Sequence, residues 1–234
     1  RLSSGKRINS AEDDTSGYAL SRHLESRVRG LSQALDNVGT AKNVLNIAEG
    51  GYQAQMSILQ TLKEKATQAA DGSWSTAQRG AIDDQATALE AEFADIATDT
   101  KFNDNALFGN TITFQVGEGA SDTLAVAFDA SASVSVDLST SANAQTAMGD
   151  LDTAIDTLAT AIQNVGDFQA RLSSKEESLS LGISNTEATR SRVEDADFAK
   201  EQMSMMKLQI LQQTTVSSFS QANSAPQMVL GLFR

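Results

Sequence analysis

Cysteine is absent from this chain of 234 residues, and histidine and proline each occur once. The lack of thiols excludes disulfide bonds and thiolate metal sites. The one histidine, His23, falls on the polar side of a predicted helix, where we expect it to be solvated rather than part of a Ser-His-Asp triad. Aromatic residues make up 5% of the chain. These shortages argue against an enzyme, and we expect neither a cofactor nor a bound metal.

Positive charge is also scarce, because 18 Lys and Arg stand against 30 Asp and Glu, for a net charge of −12. That balance gives no electrostatic support for binding nucleic acid. Long apolar runs are missing as well. The uncharged stretch 208–233 contains many Gln, Ser and Thr residues, so it fails the requirement of about 20 predominantly apolar residues for a membrane span. No cleavable signal peptide is visible.

Seven-residue spacing of apolar residues predicts very long helices. The first repeat predicts a helix over about 13–70, and a weaker 4-3-4-3 pattern predicts a second, antiparallel helix over about 75–99, with Ser75 as its N-cap. A third helix is predicted over about 143–187. The first seam comprises Leu24, Leu31, Val38, Leu45, Tyr52, Leu59 and Ala66. Its companion seam comprises Leu20, Ala34, Ala41, Ala48, Leu62 and Ala69, with Arg27 and Gln55 as polar exceptions. The third helix repeats Leu151, Leu158, Val165, Leu172 and Leu179, with Ile155 and Ile162 in the other seam.

Between the second and third helices the period changes from helical to two. Alternating apolar residues around the loop 117–122, followed by Val134 and Val136, predict a small β element over about 110–138. Within the first helix, Gly50-Gly51 is expected to weaken or bend the backbone, at about 1 kcal/mol per glycine. The fold class is therefore mainly α: a long antiparallel coiled-coil-like helical rod with a small β-hairpin element at one end, plus a C-terminal amphipathic helix. We expect a core rod domain over 13–190, preceded by a short segment over 1–12 and followed by a tail over 191–234.

The tail combines an uncharged stretch with helical spacing of its apolar residues. A C-terminal helix with an exposed apolar surface predicts a partner that covers this surface. A helix docked on the chain's own core is the alternative. Small-molecule binding is disfavoured because the seams are almost purely apolar, and membrane adhesion is disfavoured by the acidic balance. The candidate contact residues of the tail are Met203, Met206, Ile210, Leu211, Val216, Phe219, Met228, Val229, Leu230 and Leu232.

The two ends of the chain carry motifs of a known family. The first twenty residues, RLSSGKRINSAEDDTSGYAL, resemble the N-terminal signature of bacterial flagellins, RLSSG-x-RIN-x-A-x-DD-x-x-G. QILQQ at 209–213, QAN at 221–223, PQ at 226–227 and VL at 229–230 resemble the C-terminal signature. The N-terminal residues that carry the resemblance include Arg1, Leu2, Arg7, Ile8, Asn9, Asp13 and Asp14.

The resemblance implies an extracellular structural subunit of the bacterial flagellum, exported unfolded without a cleaved signal peptide. The partners it implies are further copies of the chain in a helical homopolymer, an export chaperone on the tail, the flagellar export apparatus, and the cap and junction proteins. Flagellins carry an inner-tube segment ahead of RLSSG. By that comparison 1–12 is its remnant, 191–234 is the C-terminal inner-tube helix, and we expect a truncated chain that polymerises poorly and whose tail needs a partner for order. The hook–filament junction protein is the alternative; the RLSSG run is more typical of flagellin.

One further motif bears on host recognition. Many flagellins expose Q-R-x-R-E-L, which Toll-like receptor 5 recognises, on the first rod helix. The matching residues here are Gln60, Thr61, Lys63, Glu64 and Lys65. Thr61 replaces an arginine and Lys65 replaces the leucine, so a charged hot spot and an apolar anchor are both lost. The resemblance therefore implies a poor receptor agonist.

Overall fold

A computed structural model describes residues 2–232, with side chains described up to residue 222. Helices hold 72% of the chain, which confirms the mainly α class with a small antiparallel hairpin. The helices are α1 (Thr15–Ala70), α2 (Thr76–Asp99), α3 (Ser141–Glu194) and α4 (Phe198–Leu232). The strands are β1 (Lys101–Phe102), β2 (Asn105–Ala106), β3 (Thr111–Gln115) and β4 (Thr123–Ala127). The chain forms two compact units: a terminal unit, Arg1–Arg29 with Ile183–Arg234, and a central unit, Gly30–Gly182.

The core of the central unit follows the predicted first seam of α1. Val38, Leu45, Tyr52, Leu59 and Ala66 are fully buried, as are most residues of the companion seam. Burial of apolar side chains every seventh residue holds α1 against its neighbours, at about 25 cal/mol per Å² of apolar surface removed from water. Seven-residue spacing in the sequence therefore identified the residues that form this core.

The second seam of α3 differs from the prediction. Ile155 and Ile162 are only half-buried, and three alanines at seven-residue intervals, two of them one residue before an isoleucine, take the buried positions. These are Ala147, Ala154 and Ala161. Alanine at seven-residue intervals lets a neighbouring backbone approach closely, whereas isoleucine would hold it away. The larger isoleucines therefore lie at the flank of the contact.

Gly50-Gly51 does not interrupt α1, which continues from Thr15 to Ala70. A Cβ built on Gly51 would lie 2.6 Å from Thr100 Oγ1 and 2.8 Å from Phe108 Cζ. Glycine is needed at this position because the segment after α2 packs directly on the α1 backbone. A Cβ on Gly50 would meet nothing within 4 Å, so only the second glycine has a packing role.

The connection between α2 and α3 carries two hairpins. In the larger, β3 pairs antiparallel with β4, with Phe114 opposite Leu124, around the predicted loop. The smaller, β1 with β2, was not predicted; it turns through Asn103 (φ 48°) and Asp104 (φ 62°), residue types that tolerate the left-handed region. Asn37 Nδ2 of α1 donates to Gln115 O at 3.1 Å, which ties the larger hairpin to the long helix.

Val134 and Val136 do not form the third strand that their alternation suggested. The backbone N–H of Val136 donates to Glu90 Oε1 at 2.6 Å, and that of Leu138 donates to Asp83 Oδ1 at 2.7 Å. Carboxylates of α2 thus take the donors that a sheet ladder would have used. The alternation arose because one side of this extended segment faces the helices, not because it joins a sheet.

Buried polar groups organise the same region of the central unit. Gln55, a polar exception in the seam, is fully buried, and its Nε2 donates to Phe93 O at 3.1 Å and to Ser131 Oγ at 2.7 Å. Tyr52 stacks on Phe108 with ring centroids 4.2 Å apart, and its hydroxyl donates to Asp129 O at 2.6 Å. Burial raises the pKa of Tyr52 well above its usual range, so the phenol stays protonated and remains a donor.

Substitution of the two glycines tests the packing role of Gly51. Gly51→Ala should destabilise the chain by about 1–3 kcal/mol, because its methyl group overlaps Thr100 and Phe108. Gly50→Ala is the matched control and should stabilise α1 by about 1 kcal/mol, because alanine is the better helix former and has open space. Thermal unfolding followed by circular dichroism measures both; equal effects of the two substitutions would contradict the packing role.

Candidate assembly site

The terminal unit joins the N-terminal signature to the end of α3. Arg7 N donates to Glu194 O at 2.7 Å, and Ala196 N donates to Gly5 O at 2.9 Å. Lys6 and Asp195 thereby form an isolated antiparallel bridge. Gly5 has φ +69°, a conformation that glycine adopts without steric cost. The segment ahead of α1 is therefore docked on the chain near residue 195 through its own backbone.

The Glu194 side chain lies at the centre of this contact. Its Oε1 accepts from Lys6 Nζ at 2.6 Å and its Oε2 accepts from Ser21 Oγ at 3.0 Å. Glu194 is 8% exposed, so both carboxylate oxygens have partners in a site largely closed to water. The Lys6 hydrogen bond, with a further one from Ser21, lowers the pKa of Glu194 against the opposing effect of burial. The carboxylate therefore stays ionised at neutral pH and holds three segments together.

The remaining residues of the N-terminal signature stabilise the segment before α1 and the first turn of α1. Arg7 donates to Val193 O at 3.0 Å, and Ile8 is buried. Asp13 Oδ2 accepts from the backbone of Asn9 at 3.0 Å and fixes the loop. Asp14 Oδ1 accepts from Gly17 N at 2.9 Å and caps the start of α1.

Gly17 completes this arrangement. A Cβ at Gly17 would lie 2.5 Å from Ile8 Cδ1 and 2.6 Å from Asp14 Oδ2. The spacing RIN-x-A-x-DD-x-x-G thus describes a loop that buries one isoleucine over the first turn of α1. Leu2 lies half-exposed in a turn, and Arg1 lies outside the described residues.

Sequence reasoning missed Glu194, Ser21 and Lys6 as a set. The third helix was predicted to end near residue 187, whereas α3 runs to Glu194. No spacing rule connects Lys6 with a residue 188 positions away. The single signal available was the density of charge in 187–197, which does not single out one carboxylate.

Helix α4 presents large apolar side chains to solvent. Every described side chain of 202–222 is exposed, including Leu208 at 66% and Phe219 at 69%. The predicted contact residues Met203, Met206, Ile210, Leu211, Val216 and Phe219 are all among them. Met228, Val229, Leu230 and Leu232 lie outside the described side chains. An exposed apolar surface of this extent marks a site for a partner.

The apolar residues of α4 point in several directions. At about 100° per residue, Met203 and Ile210 project from one side, whereas Phe219 projects from nearly the opposite side. Leu211 and Phe219 also line a shallow groove of about 360 Å³ with Thr214, Thr215, Ser218 and Ala222. A helix with apolar residues on many sides is stable in water only when several neighbours cover it.

The receptor-recognition stretch lies on α1 in the central unit. Gln60 and Glu64 are exposed, whereas Thr61, Lys63 and Lys65 are half-buried. Lys63 forms an ion pair with Asp152 of α3, and the Thr61 hydroxyl donates to Ser57 O at 2.9 Å. The positive charge of Lys63 is thus already paired within the chain.

Across the described residues no group of three or more His, Asp or Glu side chains could hold a metal ion. Within the same residues no helix has the length and hydropathy of a membrane span.

Comparisons with known proteins agree with the terminal motifs. Residues 1–113 match the family model for the bacterial flagellin N-terminal helical region, and residues 148–233 match that for the C-terminal helical region. A flagellin from Halalkalibacterium halodurans is 32% identical over 244 residues, covering 100% of this chain and 90% of the relative. Flagellin FlaB2 of Treponema pallidum is 33% identical over 258 residues, covering 100% and 90%. A Vibrio parahaemolyticus protein provisionally named a flagellar hook-associated protein shares the fold (TM-score 0.68, 12% identity), covering 78% of this chain and 100% of that chain.

Removal of the Glu194 charge tests the terminal contact. Glu194→Gln should speed exchange of the Arg7 and Ala196 amide hydrogens about tenfold, because the ion pair with Lys6 is lost. Since the folded-state pKa of Glu194 is lowered, wild-type protection should be complete above the ordinary glutamate pKa and be lost as pH falls through the folded-state value. The glutamine variant should lack this pH dependence.

Hydrogen exchange monitored by mass spectrometry, corrected for intrinsic rates at each pH, is the measurement. Glu12→Gln removes an exposed carboxylate from the same loop and should leave both amides protected. Unchanged protection in Glu194→Gln would show that the backbone bridge alone holds the segment.

Proposed function

The chain belongs to the bacterial flagellin family, whose members are structural, non-enzymatic subunits that self-assemble into the extracellular flagellar filament, and we propose that it does so through α4. The observation that carries this proposal is the exposure of the large apolar residues of α4. Filament formation would remove these side chains from water on several sides at once. A contact that repeats from subunit to subunit without closing generates a helical polymer.

The terminal contact supports α4 in this role. Glu194 ends α3 only four residues before Phe198 begins α4, and the bridge through Lys6 holds the connecting residues. A docked connection reduces the conformational freedom that subunits would otherwise lose when their tails pack together. We therefore assign the signature residues Arg7, Ile8, Asp13 and Asp14 to positioning of the tail. Arg1, Leu2 and Asn9 belong to the same segment.

Before assembly the same apolar surface needs protection from aggregation. An export chaperone that covers α4 would supply it, and Met203 and Met206 suit such a contact because methionine adapts to different apolar partners. The chain would then meet its partners in this order: the chaperone inside the cell, the export apparatus during secretion, and other copies at the growing end of the filament. The cap and junction proteins meet the chain at the two ends of that polymer.

A hook–filament junction protein is the alternative function. The likeness to the Vibrio protein has 12% identity and therefore supports a shared fold alone. The relatives that span the whole chain at 32% and 33% identity are flagellins. The balance of these comparisons favours the filament subunit.

Recognition by Toll-like receptor 5 should be weak. Thr61 and Lys65 replace the arginine and leucine of the receptor motif, and Lys63 is paired with Asp152. An interface centre built on arginine and an apolar anchor loses most of its binding free energy when both are replaced.

Charged substitutions in α4 test the assembly role. Ile210→Asp/Leu211→Asp should raise the critical concentration for polymerisation, and the dissociation constant for a flagellin export chaperone, at least tenfold, because carboxylates cannot be buried unpaired at an apolar contact. Gln212→Asp/Gln213→Asp adds the same charge two residues further along α4 and spares the apolar groups. Sedimentation measures polymer, and light scattering after size exclusion measures the complex. Wild-type behaviour of the first variant would refute the assignment.

Restoration of the receptor motif tests the recognition proposal. The wild-type chain should activate receptor reporter cells weakly, and Thr61→Arg/Lys65→Leu should raise its potency at least tenfold. Thr67→Arg/Gln68→Leu, which makes comparable exposed changes on the same helix, is the control and should have no effect. A full response to the wild-type chain at ordinary flagellin doses would contradict the proposal.

A further inference from the structure

Charge is divided unequally between the two units. Of the 18 Lys and Arg, 11 lie in the terminal unit and 7 in the central unit; of the 30 Asp and Glu, the numbers are 9 and 21. The terminal unit therefore carries +2 and the central unit −14. Central units packed side by side in a filament would repel, since contacting surfaces lie within the Debye length of about 8 Å at physiological salt. A stable lateral contact has to bring cations of one copy against acids of the next.

A cleft of the central unit is lined by two positively charged side chains. It measures about 480 Å³ and lies between the hairpin and α3, with Asp122, Thr123 and Leu124 on one side and Arg171 and Lys175 on the other. Ser174 and Ser178 add hydroxyl groups on the same face of α3.

Among the described residues, Arg171 and Lys175 form no ion pair with the acids near them on α3, which include Asp167 one turn before Arg171. Arg171 lies over the Phe168 ring at 5.4 Å, which orients its guanidinium. Glu176 and Glu177 project from other faces of α3, at about 100° per residue, and Glu176 pairs with Lys42. Asp122 is the acid that lines the cleft, and its Oδ2 accepts from Gly119 N at 3.0 Å in the hairpin turn.

An exposed acidic face on α2 has the complementary pattern. Asp84, Glu92, Asp95 and Asp99 are all exposed and fall within about 80° of one another around the helix. Asp95 and Asp99 are one helical turn apart, as are Arg171 and Lys175, so both pairs have Cβ spacings of about 6 Å. Two matched pairs allow two ion pairs to form together between antiparallel or parallel helices.

The two surfaces are not paired with each other within one copy. Among the described residues, neither Arg171 nor Lys175 forms an ion pair with Asp95 or Asp99. Both surfaces therefore remain available to a second copy. Because the contact would join two different surfaces, it can repeat from one copy to the next.

We propose that the Arg171–Lys175 cleft binds the acidic α2 face, centred on Asp95 and Asp99, of a second copy of this chain. The inference rests on the proposed filament function and specifies a lateral contact that α4 does not provide. In this contact, positively charged side chains of the central unit offset the electrostatic repulsion between neighbouring subunits.

Charge reversal tests the contact in the full chain as the bacterium makes it. Arg171→Glu/Lys175→Glu and Asp95→Lys/Asp99→Lys should each raise the critical concentration at least tenfold at physiological salt. The chain that carries all four substitutions should return to within threefold of wild type, because the pairs are restored with their signs exchanged. Lys65→Glu/Lys101→Glu changes the charge of the central unit as much as the first variant does and should have a smaller effect.

The outcomes separate the contact from the filament function. Suppose that wild type polymerises and that either double variant polymerises equally well, or that the chain with all four substitutions is not rescued. The contact is then refuted, while the filament function stands. If wild type forms no polymer even on filament seeds, the filament function fails and the contact with it. Circular dichroism melts confirm that each variant is folded.

Cross-linking gives a second measurement that does not depend on polymer yield. Because the chain has no cysteine, Lys175→Cys/Asp99→Cys introduces the only two thiols. A short bifunctional maleimide should join them between subunits into a ladder of dimers, trimers and longer chains. Lys175→Cys/Asp156→Cys should form no ladder. Equal ladders from the two variants would also overturn the proposal.

Discussion

Burial of one seam of α1 is the constraint on which the rest of the central unit depends. Val38, Leu45, Tyr52 and Leu59 are fully buried, and the surrounding elements are arranged so that each covers part of this row. Ala154 of α3 lies beside the segment 133–136, and Gly51 lets the segment after α2 reach the α1 backbone. A long helix cannot persist in water on propensity alone, so its length depends on cover along this side.

A second constraint acts in the terminal unit, where a carboxylate rather than an apolar row organises the chain. Glu194 accepts hydrogen bonds from Lys6 and Ser21 while its backbone pairs with Arg7. The signature of the family is thereby explained physically: its charged and small residues cap α1, bury Ile8 and dock the segment before α1. This fixed connection leads into α4, whose described apolar side chains are exposed.

In the proposed filament, the two kinds of surface would contribute to assembly in different ways. Helix α4 offers apolar contacts that are strong but unselective, since any apolar partner, including a chaperone, can cover them. The central unit offers charge, and at −14 that charge opposes close packing unless cations meet acids in a fixed register. Electrostatic complementarity of this kind contributes more to specificity than to affinity, which suits a contact that must set how one subunit lies against the next.

Periodicity and composition by themselves determined the helical class, the seam of α1, the position of the larger hairpin and the uncovered character of the tail, because each depends on residues close in sequence. Only the tertiary structure decided the role of Glu194, since its partner is 188 residues away. It also decided that alanines are buried in α3 instead of Ile155 and Ile162, since that depends on which segments pack against the helix. It also decided that the backbone N–H groups of Val136 and Leu138 donate to carboxylates of α2 instead of to a neighbouring strand. The spacing of apolar residues along the sequence reveals which side of a segment is apolar. Which groups contact that side depends on the packing of the whole chain.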